Sequence, residues 1–343
     1  MPRPDSRWSL DRLTPKERRQ LRVVGVVAGI VLIAFATLAV IGLTRGGFGA
    51  LTPAITIPSP TPRAAMLYIS PQANAVIAAQ TDDRFGELAT TPQARWLSSW
   101  STVETARWDA AQYLDPARQA GQVPVLVLYQ IPDRDCGLYA QGGLESDTAY
   151  LEWVDEVAAS LDGFTDAMVI IEPDALPMAG DCQSVDVRTT LLSQVVDRLA
   201  PTGAQIYLDA GHSGWVDAAE MADRLVASGV DRIRGFSTNV SNFRATSDEL
   251  QYAERLRAEL IERGVDDTHY VIDTSRNGAP VSNGDVCNPP DARIGERPQL
   301  YEGTALDAVL WIKAPGESDG PCHGGPQIGW WPDGALQLLG REQ

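Results

Sequence analysis

The sequence predicts an α/β fold in which seven parallel strands close into a barrel, preceded by one N-terminal transmembrane helix. Short, nearly continuous apolar runs recur along the chain, and amphipathic stretches of helical length separate most of them. Buried strands that alternate with helices are typical of a parallel sheet covered on its outer face. An open sheet has the same pattern, but seven runs within about 250 residues favour a closed or nearly closed barrel.

The first apolar segment, residues 23–43, has no charged side chain and is long enough to cross a bilayer as a helix. Residues 1–22 are basic, so we expect them to stay in the cytoplasm. We therefore interpret 23–43 as an uncleaved signal-anchor, with a single pass through the cell membrane and the rest of the chain extracellular. The alternative is a cleaved signal peptide and a secreted protein, although such peptides usually have a shorter apolar core and an Ala-x-Ala site after it.

Residues 44–64 are rich in Pro and Thr and predict an extended stalk, so the folded domain is expected over residues 65–343. Residues 1–45 hold eight Lys or Arg and three Asp or Glu, a net charge of +5. Because the whole chain carries −17, the residues after 45 carry −22. A domain this acidic repels phosphate, which excludes nucleic acid as a partner. The acidity suits a neutral substrate, but by itself it is more often a means of keeping an exported protein soluble.

The predicted strands and helices alternate from residue 66 to residue 312. The strands are 66–69, 125–129, 168–171, 205–208, 234–237, 270–272 and 308–312. The helices between them include 148–161, 187–199, 216–227 and 249–263. In parallel barrels the loops at the carboxyl ends of the strands build the active site, so catalytic residues are expected in the segments that follow these strands.

Polar segments rich in Gly and Pro follow several of the strands. They would bring to one face the side chains of Asp135, Asp174, Asp209, His212, Lys313, Glu317 and Asp319. Acids crowded into one cleft repel each other, so some stay protonated beside others that are ionised. Glycoside hydrolysis needs such a pair, one carboxyl to protonate the leaving oxygen and another to activate water or attack carbon.

Among these acids, Asp174 is the strongest catalytic candidate. An isolated Asp after a strand is most often the N-cap of the next helix, and such a structural role is the prediction for Asp209 and Asp155. Asp174 differs because Pro173 and Pro177 flank it, which indicates a loop rather than a simple cap.

The chain has four cysteines in its predicted extracellular part, where disulfides persist. They are Cys136, Cys182, Cys287 and Cys322. Four cysteines allow three pairings, and their spacing does not choose among them. A zinc site is not expected, because the chain has three histidines and no Cys-x-x-Cys motif.

Six segments resemble motifs of glycoside hydrolase family 6, the family of cellulases that contains endoglucanases and cellobiohydrolases. Residues 127–143 resemble the first signature of the family, and residues 169–177 are similar to the second. The resemblance continues, in the family's order, through residues 207–215, 239–242, 272–278 and 311–320. It covers roughly residues 66–340 and is specific, because either signature alone is distinctive.

The resemblance implies a distorted seven-stranded α/β barrel, a variant of the TIM barrel. It also implies hydrolysis of β-1,4-glucan with inversion at the anomeric carbon and without a metal or cofactor. By position in the motifs, Asp174 would be the general acid and Asp135 the neighbour that keeps it protonated. Asp319 would be the base, and Tyr129 would press on the sugar ring at the cleavage site.

The resemblance also implies the residues that bind sugar and the two disulfides. The sugar-binding positions would be His212, Trp215, Asn239, Lys313 and Glu317, with Trp215 as a flat apolar platform for a glucose ring. The disulfides would be Cys136–Cys182 and Cys287–Cys322.

Short loops favour an endoglucanase. Only seven residues separate Asp174 from Cys182, and two separate Asp319 from Cys322, so we expect an open groove that admits the interior of a cellulose or soluble β-glucan chain. An exo-acting cellobiohydrolase is one alternative. The other is a cell-surface β-glucan-binding protein with little turnover, since Val286 and Gln72 stand where the family often has Trp.

Overall fold

Nine strands form one sheet in the computed structural model, which describes residues 59–137, 140–181, 183–281 and 285–341. The strands are β1 (Thr61–Pro62), β2 (Arg95–Leu97), β3 (Val125–Leu128), β4 (Met168–Ile171), β5 (Gln205–Asp209), β6 (Gly235–Thr238), β7 (His269–Asp273), β8 (Gln299–Glu302) and β9 (Leu306–Leu310). Their order is β1-β8-β9-β7-β6-β5-β4-β3-β2. Strands β2 to β7 and β9 pair in parallel, and β8 and β1 add an antiparallel edge. The predicted α/β fold with a mainly parallel sheet is confirmed.

Helices connect the parallel strands. The longer helices are α3 (Ala106–Ala120), α4 (Asp147–Leu161), α5 (Val185–Leu199), α6 (Ala218–Ala227) and α7 (Thr246–Glu262), and the shorter ones are α1 (Asn74–Ala79), α2 (Gly86–Ala89) and α8 (Pro332–Leu338). The four predicted helices correspond to α4–α7. Ser146, Ser184 and Asp217 begin α4, α5 and α6, because each side chain accepts a hydrogen bond from a backbone N–H of the first turn.

The prediction of a strand at 66–69 is wrong, whereas each of the other six predicted strands overlaps an observed strand. Leu67 makes a single parallel bridge with Val123, just before β3. The ladder beside β3 belongs instead to β2, in which Arg95–Leu97 pairs with residues 126–128. The apolar run is nevertheless buried at Leu67 and Tyr68, which pack beside β3 without forming a strand.

Side chains of the parallel strands alternate between two apolar clusters. Leu126 and Val169 belong to a cluster that also contains the apolar faces of α3–α7, so it lies between the sheet and these helices. Val127 and Ile170 belong to the other cluster, together with Leu310 of β9. Because β3 and β9 are separated by four strands in the sheet order, the sheet must curl around this second cluster.

The curled sheet is a half-barrel, and hydrogen bonds link the segments beside β2 and β9, the two outermost of its parallel strands. The Ala94 N–H donates to the Trp311 carbonyl at 3.0 Å, and Trp96 Nε1 donates to the Ile312 carbonyl at 2.7 Å. In the described residues no ladder joins β2 to β9. The carboxyl ends of the parallel strands therefore meet around one opening.

The predicted signal-anchor, residues 23–43, lies outside the described residues. Within the described part of the chain, no helix is both long and apolar enough to span a membrane. The folded domain starts a few residues before its predicted start at Ala65. Thr61 and Pro62 pair with Glu302 and Tyr301. The described chain thus enters beside the amino end of β9, at the opposite end of the sheet from the carboxyl-end loops.

One predicted disulfide is confirmed. Cys287 and Cys322 are bonded, with their Cα atoms 6.1 Å apart, and they tie the loop after β7 to the loop after β9. Cys136 is also disulfide-bonded. Its predicted partner, Cys182, lies outside the described residues, so that pairing stays a prediction.

Candidate active site

Asp174 occupies a constrained turn at the carboxyl end of β4. Glu172 and Asp174 have φ angles of +47° and +69°, which non-glycine residues rarely adopt. Asp209, at the end of the neighbouring strand β5, holds this turn, because its Oδ2 accepts a hydrogen bond from the Asp174 N–H at 2.9 Å. Asp209 also accepts from the Gly211 N–H and the Ser237 hydroxyl. Such strain is characteristic of functional turns.

The prediction that Asp209 and Asp155 are structural needs correction in its detail, because neither residue is a helix cap. Asp217, not Asp209, caps the helix that follows β5. Asp209 is buried beneath the Asp174 turn, and Asp155 forms an ion pair with Arg198 on the surface of α4.

The environment of Asp174 favours its protonated form. Burial of the carboxyl raises its pKa well above the ordinary value, and the nearby carboxyls of Asp209, Asp135 and Asp319 raise it further, while Lys313 opposes them. Its Oδ1 is shielded from solvent and has no hydrogen-bond partner among the described residues. A protonated carboxyl with an uncommitted oxygen can donate its proton to a bound substrate.

Asp135 and Tyr129 lie beside Asp174. Asp135 lines the same small cavity as Asp174 and accepts a hydrogen bond from the Ala140 N–H at 2.7 Å. Burial raises the pKa of Asp135, although this hydrogen bond and the charge of Arg134 oppose the shift. The Tyr129 ring is packed between the Trp96 ring, at 5.1 Å, and the Arg134 guanidinium, at 4.2 Å. These contacts fix the ring of Tyr129 next to the candidate acid.

Glu172 links β4 to the loop that carries Asp135. Its buried carboxylate accepts hydrogen bonds from the Gln130 N–H at 2.9 Å, the Ile131 N–H at 3.2 Å and the Tyr150 hydroxyl at 2.8 Å. Burial raises the pKa of Glu172 to about 7 in spite of these donors. Apart from the presence of Glu172 in the second signature, nothing in the sequence indicates this role, because its partners lie in the loop after β3 and on the helix α4.

We expect Glu172 to make the folded state less stable as pH rises from about 4 to about 7. The folded protein keeps this proton up to its pKa of about 7, whereas an unfolded glutamate loses it near pH 4.3, so the native state binds more protons in that range. The effect is on the order of 3 kcal/mol. Urea unfolding of the wild type and of Glu172→Gln at pH 4.5 and 7.5 tests this, because the variant should lose that part of the pH dependence even if it is less stable overall. An equal pH dependence in both proteins would contradict it.

Asp319 is a buried anion held by two cations. Its Oδ2 accepts a hydrogen bond from Arg276 at 2.6 Å, its Oδ1 lies 3.0 Å from Lys313 Nζ, and the Asn288 N–H also donates to Oδ2. Burial alone would raise the pKa of Asp319, but the charges of Arg276 and Lys313 hold it well below the usual range. Asp319 is therefore ionised at a pH at which Asp174 still carries its proton.

A second buried carboxylate, Asp273, positions the loops around this anion. It is the last residue of β7 and accepts hydrogen bonds from the backbone N–H groups of Ser241, Ser275, Ile312 and Lys313. It thereby ties together the loops after β6, β7 and β9. Neither Asp273 nor Arg276 was assigned a role from the sequence, although both lie in the segment 272–278 that resembles the family.

His212 and Trp215 stand together in the loop after β5. Their ring centroids are 5.4 Å apart, and Trp215 is 40% exposed. Burial, with a smaller contribution from the charge of Arg244, lowers the pKa of His212 to about 4, so the ring is neutral at pH 7. His212 and Val286 both line an open pocket of about 510 Å³. The exposed Trp215 face is available for stacking.

The two remaining predicted sugar-binding residues differ in accessibility. Glu317 is half-buried, and its Oε1 accepts a hydrogen bond from the Asn74 amide at 2.5 Å. Asn239 is fully buried, and its amide bonds the backbone of Arg244 and the Asp273 carbonyl. In this structure Asn239 positions the loop after β6, and direct contact with sugar stays a prediction. Among the described residues, no cluster of His, Cys, Asp and Glu could hold a metal ion.

Comparison with known proteins identifies the family. The family model "Glycosyl hydrolases family 6" matches residues 62–339. Endoglucanase A of Cellulomonas fimi is 42% identical over 254 residues, which are 74% of this chain and 55% of that protein. Endoglucanase A of Thermobispora bispora is 37% identical over 310 residues, which are 85% of this chain and 66% of that protein. The chain thus spans about half to two thirds of the length of these relatives.

A solved structure shows the same fold. The endoglucanase Cel6 of Mycobacterium tuberculosis, in complex with methyl-cellobiosyl-4-deoxy-4-thio-β-D-cellobioside, is 42% identical with a TM-score of 0.75, and the match covers 81% of this chain and 97% of that one. The family model covers the strands, the half-barrel and every carboxylate described above. The chain belongs to the glycosyl hydrolases of family 6.

Proposed function

We propose that this protein hydrolyses internal β-1,4-glucosidic bonds of cellulose or a related β-glucan with inversion at the anomeric carbon. The observation that carries the proposal is the contrast between Asp174, whose surroundings keep it protonated, and Asp319, whose two cationic partners keep it ionised. Inverting hydrolysis needs a carboxylic acid and a carboxylate on opposite faces of one sugar ring, with space for water between the carboxylate and the ring.

In this mechanism Asp174 donates its proton to the leaving glycosidic oxygen. Water attacks the anomeric carbon from the other face, and its proton leaves towards Asp319, directly or through a second water. The negative charge of Asp319 also stabilises the positive charge that develops on the ring. Tyr129 presses on that ring, and Asp135 sustains the protonation of Asp174 through its nearby charge.

Two observations favour attack within a glucan chain over attack from its end. Trp215 and Val286, in the loops after β5 and β7, are 40% and 60% exposed, which suits an open groove. The relatives named endoglucanases are 37–42% identical to this chain, whereas the one named Exoglucanase 3, from Agaricus bisporus, is 33% identical. The exo-acting reading has no comparable support.

For location, we propose that residues 23–43 hold the enzyme in the cell membrane with its groove outside. The uncharged run of 21 residues and the basic residues before it support this proposal. Fractionation of native cells tests this location. Recovery of the protein in the medium, shortened at its N terminus, would favour the secreted alternative instead.

The test of the activity uses the full chain, purified in detergent, on carboxymethylcellulose and barley β-glucan. An endo-acting enzyme lowers the viscosity steeply while few reducing ends appear, and proton NMR should show the α-anomer as the first product. A slow fall in viscosity per reducing end would favour exo action, and the β-anomer would refute inversion. Binding of glucan without any release of reducing sugar would contradict the proposed hydrolase activity and favour a glucan-binding protein.

A further inference from the structure

Helix α7 carries a buried carboxylate, Glu249, that has no part in the reaction proposed above. Glu249 is 0% exposed, and its Oε1 accepts a hydrogen bond from the Ser213 N–H at 2.9 Å. Its Oε2 is also shielded from solvent, and the side chains of Ser213 and Thr238 lie close to the carboxylate. Burying a carboxylate is costly, and an apolar side chain would pack there at lower cost.

Ser213 lies in the turn that carries His212 and Trp215. The Trp215 N–H donates to the His212 carbonyl at 3.0 Å, and the Gly214 N–H donates to His212 Nδ1 at 3.1 Å, so the turn is closed by its own hydrogen bonds. Because Trp215 is 40% exposed, packing fixes its indole only in part. The direction of the indole therefore depends on the backbone of the turn, which Glu249 holds.

The same face of α7 holds the turn at a second point. Tyr252, one helical turn after Glu249, donates from its buried hydroxyl to the Val216 carbonyl at 3.1 Å. Glu249 and Tyr252 therefore contact the chain on either side of Trp215. Helix α7 itself is anchored in the core through Leu256 and Leu260, so the turn is tied to a rigid element.

We propose that Glu249 is a positioning residue that sets the orientation of Trp215 and so determines how tightly the enzyme holds long β-1,4-glucan chains. This inference rests on the proposed function, in which Trp215 stacks on a glucose ring. Glu249 does not contact the candidate acid, so its effect should fall on binding of the polymer and not on the chemical step. Loss of Glu249 should therefore raise KM and leave kcat nearly unchanged.

The experiment compares Glu249→Leu, which removes the acceptor, with Glu249→Gln, which keeps one, and with Gln251→Ala on the exposed side of the same helix. On carboxymethylcellulose we expect Glu249→Leu to raise KM by about 5- to 20-fold, with kcat changed by less than about twofold. Glu249→Gln should raise KM much less, and Gln251→Ala should match the wild type. If Glu249→Leu does not fold, Glu249→Asp replaces it, because the shorter side chain withdraws the acceptor from Ser213.

A double-variant cycle separates this inference from the proposed function. Trp215→Ala should raise KM by itself, and adding Glu249→Leu to it should raise KM no further, since both changes remove the same stacking. An additive effect, or an unchanged KM in Glu249→Leu, would overturn the positioning role. An unchanged KM in Trp215→Ala would instead remove Trp215 from the proposed function.

Discussion

Replacing Asp174 by asparagine is expected to lower kcat on barley β-glucan by about two to four orders of magnitude, the contribution typical of a positioned general acid. Asparagine has the size of a protonated aspartic acid but cannot give up a proton to the leaving oxygen. The fold should be retained. A carboxyl whose folded-state pKa is raised destabilises the native state once pH exceeds the unfolded pKa, so at pH 7 the neutral variant should be at least as stable as the wild type.

A substrate whose leaving group needs no proton gives a more specific test of this prediction. On a dinitrophenyl cello-oligosaccharide the leaving group departs without a proton, so Asp174→Asn should lose far less activity than on β-glucan. The matched control is Asp181→Asn, a neutralised acid exposed in the same loop, which should behave like the wild type. An equal loss on both substrates would show that Asp174 is not the acid, and full activity on β-glucan would do so more directly.

The strands buried on both faces could be predicted from the sequence, but the edge of the sheet could not. Strand β4 was predicted with its observed bounds, Met168–Ile171, because all four of its residues are apolar and buried. Strand β2 contains only one fully buried residue, Leu97, so it has no apolar run to recognise. The run 66–69 is apolar for a different reason, since it covers the end of the core without joining the ladder.

The motifs indicated the roles of the reactive carboxylates, whereas they did not show which groups the supporting carboxylates would hold. Asp209, Glu172 and Asp273 are buried acids that accept hydrogen bonds from backbone N–H groups in the loops after other strands, and a sequence does not show which loops will meet. Arg276 illustrates the same limit, because its partner Asp319 is 43 residues away. The sequence therefore does not show which distant residues will contact each other, because those contacts depend on the curl of the sheet.

Neutralising Asp319 should damage both activity and stability. Asp319→Asn leaves Arg276, which is 4% exposed, and Lys313 without their anion, and breaking such a buried pair costs on the order of 3–5 kcal/mol. Because the pKa of Asp319 is lowered in the folded state, this stabilisation is present above the unfolded pKa near 4 and is lost as pH falls. Urea unfolding should therefore show a large difference between the two proteins at pH 7 and a smaller one at pH 3.

Activity must then be separated from the loss of stability. Asp319→Asn should lower kcat by about two to three orders of magnitude, as expected when one preorganised electrostatic group is removed from a transition state. The double variant Arg276→Met with Asp319→Asn removes one stranded cation, so it should recover part of the free energy of unfolding but none of the activity. Assays at a temperature where all three proteins are folded make the comparison. If the double variant regained activity along with stability, Asp319 would be a structural partner of Arg276, and the carboxylate that serves the attacking water would have to be sought elsewhere in the groove.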